Sequence, residues 1–405
     1  MDRRTLLKTG GMAALGLGFG GCAARTPPPV RPTRPRVVLA PIRASWDRVI
    51  RTTVGLRPHR RSGFVLKAEK FDERTVVHNY GHGGSGLSLS WGTGAMAADL
   101  AVEAAPGDRR VAVLGSGAVG LATTRQLQRR GFDVTIYTEA VPPYTTSNMA
   151  WGGFTPTSGL VTGRAYTPAW QSQFTEAVEI AYREWQLMVG PRFAVSWIDS
   201  YSTMDELPTA QSEARFERGG GSLLPAHMRS GREILEPGEH PFPTRYAARR
   251  TSMKMEPPRY LEAMTREVRL FGARTVVRKF DSSRDLMTLD EPVIVNCTGL
   301  GSYRLFNDAE LAPVKGQLTF LVPQPEVDYQ YGCMPRSDGI ALGSTRQPGN
   351  WSLEPDEEAR QRIVSRAIER FAWMRTMPTA PRQRLTRSRA PALAPRVETF
   401  FGDES

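Results

Sequence analysis

The segment Val111-Ala112-Val113-Leu114-Gly115-Ser116-Gly117-Ala118-Val119-Gly120 restricts the fold more than any other in this chain of 405 residues. Its four leading apolar residues read as a buried strand, which runs into Gly115-x-Gly117-x-x-Gly120. An amphipathic stretch from Leu121 to Arg130 follows, and then a second strand pattern ending at Tyr137. Strand, glycine turn, helix and strand in that order predict a βαβ unit that binds a dinucleotide. Gly115 permits the tight turn, Gly117 lets a pyrophosphate approach the backbone, and Gly120 allows close packing of helix on strand. Ser116, Ala118 and Val119 complete that binding loop. Glu139, about 20 residues on, is placed to accept a hydrogen bond from a ribose hydroxyl. An acidic residue there disfavours a 2′-phosphate, so FAD or NAD is expected rather than NADP.

A second glycine loop precedes the first. His78-Asn79-Tyr80-Gly81-His82-Gly83-Gly84-Ser85-Gly86-Leu87 has four glycines within six residues, which leaves backbone N–H groups uncovered by side chains. Trp91 to Leu100 reads as a helix, so this loop opens onto a positive helix end. Two such loops about 30 residues apart suggest one large cofactor held at both ends.

Composition excludes some partners. The formal net charge is +12, but the basic residues are dispersed and nearly all arginine, with lysines only at 8, 67, 70, 254, 279 and 315. No Lys/Arg block with interleaved aromatics exists, so no nucleic-acid partner is expected. Beyond Cys22 only Cys297 and Cys333 remain, too few for a disulfide framework, and no CxxC or histidine cluster has metal-ligand spacing. No metal site is predicted.

Residues 1–24 read as a targeting segment. Arg3-Arg4-Thr5-Leu6-Leu7-Lys8 resembles the twin-arginine export signal, which implies the twin-arginine machinery as a partner and export to the periplasmic side of a bacterial membrane. Phe19-Gly20-Gly21-Cys22 resembles a lipoprotein processing site. Lipidation of Cys22 would tether the chain, and cleavage just after Cys22 would release it. A proline-rich spacer spans 25–36, and the arginine- and proline-rich tail 376–405 is expected to be disordered. Between them, residues 155–250 are mixed in pattern, 260–272 read as a helix, 292–296 as a buried strand, and 356–375 as another helix.

Several further motifs complete a pattern. Pro143-Tyr144-Thr145-Thr146-Ser147, Trp151-Gly152-Gly153, Val295-Asn296-Cys297-Thr298-Gly299, Gly349-Asn350-Trp351, Gly55-Leu56-Arg57-Pro58 and the 78–87 loop, taken with the βαβ unit, resemble the D-amino-acid oxidase family over roughly residues 51–375. The resemblance implies FAD as cofactor and a mixed α/β fold, in which a Rossmann-like FAD-binding domain interleaves with a substrate-binding domain on a mixed sheet. FAD-binding parts would lie at about 72–160 and 260–302, and substrate-binding parts at about 37–71, 161–259 and 303–355 of a unit spanning 37–375. Cofactor contacts implied by it are Gly83, Gly84, Ser85, Gly86, Leu87, Ser88, Thr145, Thr146, Ser147, Gly152, Gly153, Phe280 and Thr298, beside the glycine fingerprint and Glu139. In the family the glycine loop and its helix end the chain, whereas here they precede the fingerprint. The sequence therefore looks circularly permuted, with old termini joined across Ala104 to Arg110.

The resemblance also implies oxidation of a D-amino acid by hydride transfer to flavin N5, giving a 2-oxo acid, ammonia and, with oxygen, hydrogen peroxide. Arg57 matches the arginine that holds the substrate carboxylate, and its planar fork suits bidentate pairing. The backbone near Gly84 would accept the amine, and Tyr331 and Tyr329 would stand over the substrate, or else pack in the core. Tyr331 aligns only with a one-residue slip. Ser85 stands where the family often has tyrosine, and Thr157 where the acidic-substrate branch has histidine, which leans toward neutral substrates. His78 and His82 are read as structural hydrogen-bonding groups. Three other readings stay open: a glycine- or sarcosine-type oxidase, a quinone-linked dehydrogenase, and a flavin-loaded lipoprotein without turnover.

Overall fold

A six-stranded sheet carries both glycine loops. The computed structural model describes residues 36–105, 107–160, 167–211, 223–228 and 231–376. Residues 1–24, read from the sequence as a targeting segment, nearly all of 25–36 and the tail beyond residue 376 lie outside them. The strand order is β2 (Val65–Phe71), β3 (Arg74–Tyr80), β10 (Val293–Asn296), β4 (Arg110–Leu114), β5 (Asp133–Thr138) and β9 (Arg274–Val277). All run parallel except β2, which pairs antiparallel with β3. β10 is buried throughout and β4 in all but its first residue. Helices and loops cover both faces of such strands, which is why both read as unbroken apolar runs. Two of the six strands precede the fingerprint's own strand β4 and three follow it, so neither part of the chain completes this sheet alone.

α1 (Gly86–Ala104) and α2 (Ala118–Arg129) pack on it, and α3 (Pro168–Leu187) packs on α1. α1 crosses α2 and α3 at two glycines. A Cβ on Gly92 would stand 1.8 Å from the Ala177 carbonyl oxygen, and one on Gly94 would stand 3.0 Å from the Thr123 nitrogen. The sequence places the start of α1 near Trp91, but it begins five residues earlier, inside the glycine loop. Local propensity disfavours glycine and serine in a helix. Here burial of Leu87, Leu89 and Trp91, with the Ser90 hydroxyl donating to the Leu87 carbonyl at 2.9 Å, outweighs it. The helix read at 260–272 is Pro257–Leu270, with proline in its first turn, where a missing N–H costs nothing.

A second, antiparallel sheet has the order β1 (Val49–Arg60), β11 (Leu311–Leu321), β14 (Gly339–Gly343) and β13 (Cys333–Arg336), with β15 (Gln347–Pro348) also on β11. A third joins β12 (Tyr329–Gln330), β6 (Val195–Met204), β8 (Tyr246–Met255) and β7 (Glu233–Leu235). The result is the mixed α/β architecture the sequence implies, and from Val37 onward it forms one compact unit. The beginning of that unit lies against the end of the helix Glu357–Phe371. Leu39, Ile42, Phe371 and Met374 share one core cluster, and the Ile42 N–H donates to the Met374 sulfur at 3.4 Å.

Candidate active site

The carboxyl ends of β10 and β4 are level and β3 runs two residues further: Asn296 pairs with His78 on one side and with Leu114 on the other. The residues just beyond them are the 81–86 glycine loop, Cys297-Thr298-Gly299 and Gly115. Glu139 follows the end of β5. An open parallel sheet binds its ligand outside these carboxyl ends, and here the sequence motifs gather along that one edge.

Backbone packing explains the glycines. Gly115 has φ +100°, and a Cβ on Gly120 would stand 2.0 Å from the Gly115 carbonyl oxygen, so α2 can close on β4 only without one. The Ser147 hydroxyl accepts from the Ala118 N–H at 3.0 Å, so the Thr145–Ser147 segment folds over the α2 N-terminus. The Ser116 hydroxyl donates to the Ala140 carbonyl at 2.8 Å. Gly86 lies beside Val119, which brings the first turns of α1 and α2 together. The two loops thus form one trough. Gly83 and Gly84 press on the carbonyls of Gly159 and Ser158, the Ser85 hydroxyl donates to Ser158, and Ser88 accepts from the Thr155 N–H at 2.8 Å. Gly152 and Gly153 tie this segment to β8, and Leu87 is buried in the main core. Thr298 donates to the Asn296 amide oxygen at 2.8 Å, and Phe280 packs edge-on to Tyr137. Glu139 is exposed, with Lys279 3.9 Å away.

The trough fits a dinucleotide on one further observation. Asn148 is buried, its oxygen accepts from Thr145 at 2.8 Å, and its amide nitrogen has no partner among the described residues. An orphaned buried donor beside the α2 N-terminus is what a bound polar group would satisfy. Asn148 directly follows the Thr145–Ser147 motif, the one signal that could have found it.

A cavity of about 130 Å³ adjoins the trough, lined by Arg57, His59, Gly83 and Gly84, by Ser158 and Gly159, and by Ser344 to Arg346. The Arg57 guanidinium rests on the bare backbone of Gly316, where a Cβ would come within 2.4 Å of it. It donates to the Thr345 carbonyl and the Ser344 hydroxyl, both at 3.3 Å. Burial, then repulsion from Arg346, holds its pKa below the ordinary arginine value. Neither arginine pairs with a carboxylate among the described residues, so the cavity carries uncompensated positive charge. Sequence reading passed over Arg346 and His59, because neither belongs to a motif that marks it out.

The two tyrosines are placed elsewhere. Tyr329 is 2% exposed, and its hydroxyl donates to the Ala40 carbonyl at 2.7 Å. The Tyr331 ring lies 4.6 Å from Phe242 and 6.1 Å from Phe371. Both belong to the core beneath the helix Glu357–Phe371 and do not line the cavity with Arg57. Gly332 follows Tyr331 directly. With φ +65° it turns the chain between Tyr331 and β13, and the Arg370 guanidinium lies against it.

The histidines of the glycine loop are structural. His82 stacks on Phe64, shares a 3.0 Å hydrogen bond with Thr93, and burial pushes its pKa down to about 3. Burial also lowers the pKa of His78, against the opposing effect of Glu69, 3.0 Å away.

Comparison with known proteins finds relatives among amino-acid oxidases. A human D-aspartate oxidase is 27% identical over 269 residues, covering 64% of this chain and 74% of that protein. A Streptomyces coelicolor D-amino-acid oxidase is 29% identical over 280 residues, covering 64% and 77%. Among solved structures, glycine oxidase from Bacillus cereus ATCC 14579 aligns over 64% of this chain and 77% of its own, with a TM-score of 0.46 and 15% identity. A family model described as "FAD dependent oxidoreductase" matches residues 110–398, from the first strand of the fingerprint through most of the tail. On that match the chain belongs to the DAO family of FAD-dependent oxidoreductases, and its cofactor is FAD.

Proposed function

We propose that the protein oxidises D-amino acids, with preference for those bearing an acidic side chain. The observation that carries this reading is the pair Arg57 and Arg346 in one small cavity beside Gly84, with no carboxylate among the residues lining it. One arginine matches an α-carboxylate. A second matches a further carboxylate on the side chain, and D-aspartate oxidase is among the relatives. This departs from the neutral preference that Thr157 suggests. FAD, when bound in the trough, would supply the hydride acceptor for the substrate α-carbon. Arg57 orients the substrate by its carboxylate, the Gly84 backbone receives the amine, and the first turn of α1 offers positive charge beside the flavin site. The imino acid then hydrolyses to a 2-oxo acid and ammonia, while oxygen becomes peroxide.

Circular permutation and export are parts of the same proposal. The family match begins at Arg110, directly after the α1 helix, and Ile42 touches Met374 where the permuted chain would have been opened. Export rests on residues 1–24 and is tested by fractionating cells that express the full chain and its Arg3→Lys/Arg4→Lys variant. For the chemistry, anaerobic titration with D- and L-forms of aspartate, glutamate and alanine follows the flavin absorbance. Bleaching by D-aspartate at the lowest concentration is expected. A yellow protein that no amino acid bleaches overturns the oxidase reading, and bleaching without peroxide in air moves it to a dehydrogenase.

A further inference from the structure

His59 lies two residues from Arg57 on β1, so both side chains leave the same face of the strand and enter the same cavity. Its Nδ1 is 2.9 Å from the Gly159 carbonyl oxygen. A carbonyl only accepts, so Nδ1 carries the hydrogen and the neutral ring keeps its lone pair on Nε2. Nε2 has no hydrogen-bond partner among the described residues and is not sealed from solvent. The ring abuts the glycine loop, with Nδ1 3.6 Å from where a Cβ on Gly83 would stand, one residue from Gly84.

From this geometry we infer that His59 is the proton acceptor for the substrate's ammonium group, an inference that rests on the oxidase reading above. A D-amino acid arrives as a zwitterion, and its nitrogen lone pair must be free to form the C=N bond as hydride leaves the α-carbon. The N–H bond of the ammonium breaks, Nε2 takes the proton, and the imidazolium returns it to water. Among the described residues lining the cavity, no other side chain can do this. Arg57 and Arg346 hold fixed charge, no aspartate or glutamate lines the wall, and Ser158, Ser344 and Thr345 are far weaker bases. His82, which faces His59 across an isolated bridge, is committed to Thr93 and buried.

The test compares the FAD-loaded wild type with His59→Gln, which keeps a donor for the Gly159 carbonyl, and with His59→Ala. Two quantities are measured: kcat/KM for the best D-amino acid from about pH 6 to about pH 10, and Kd for malonate, a dicarboxylate with no amine, from the flavin spectrum. We expect malonate affinity within about threefold of wild type in His59→Gln, and kcat/KM reduced about 100-fold near neutrality. That loss should close toward pH 10, where the free amine predominates, and added imidazole should partly restore His59→Ala. A His59→Gln pH profile that overlays the wild type overturns the inference, as does a uniform loss at every pH with weakened malonate binding. A wild type that binds malonate yet oxidises no amino acid overturns the oxidase reading instead, and the role of His59 falls with it.

Discussion

At the scale of single residues, charge in the cavity divides into a grip and a selector. Arg57→Ala should reduce kcat/KM for every amino acid by more than about 100-fold, because it removes the carboxylate's partner in a half-buried site. Arg346→Leu should cost about 10- to 100-fold for D-aspartate, in line with 1.5–3 kcal/mol for a hydrogen bond to a charged group, and little for D-alanine. Steady-state kinetics with both substrates separates the two, and equal losses for both would remove Arg346 from side-chain recognition. His82 leads to a stability prediction. Its folded pKa of about 3 lies below the ordinary 6.5, so the unfolded chain takes up a proton that the folded protein refuses. Stability should therefore fall as pH drops from about 6.5 toward 3, and His82→Asn should flatten that slope in urea titrations even while lowering stability at neutral pH. The sequence marks Arg57 because a motif frames it. Arg346 and His59 became visible only when the fold carried β1 and the 344–346 turn to one cavity.

At the scale of elements, the glycine patterns were legible because backbone-to-backbone approach leaves no substitute for a missing Cβ. β4, α2, β5 and β10 stand close to where periodicity places them. The start of α1 was not legible, since Gly86, Ser88, Ser90 and Gly92 carry poor propensity and owe their helical state to contacts from α2, α3 and the 153–159 segment. Gly92→Ala tests this directly. Alanine improves local propensity by about 1 kcal/mol, yet its methyl group would sit 1.8 Å from the Ala177 carbonyl oxygen. Overpacking should dominate, with a net loss of about 2 kcal/mol or more and lower flavin content, read from thermal unfolding and absorbance. A stabilised variant would mean that α1 and α3 are not in contact there.

At the scale of the whole molecule, strand order in space and strand order in sequence part company. Gly107 sits in open space between α1 and β4, while Ile42 and Met374 touch. A gene reordered to begin at Asp108, run through residue 405 and a flexible linker, and end with residues 37–107 should yield a flavin-loaded protein with stability within about 1 kcal/mol of the parent. Failure to bind flavin would count against permutation. The sheet pairing also sets a clock. β3, buried in all but its first residue, must wait for β10, about 210 residues later in the chain, and at 5–20 residues per second of synthesis that is roughly 10–40 s. During that interval β3 has β2 along one edge, while the edge that β10 will cover stays open. An open, buried-to-be strand edge is what another nascent chain can pair with, so the sheet's last-made strand is also the one that closes this route to aggregation.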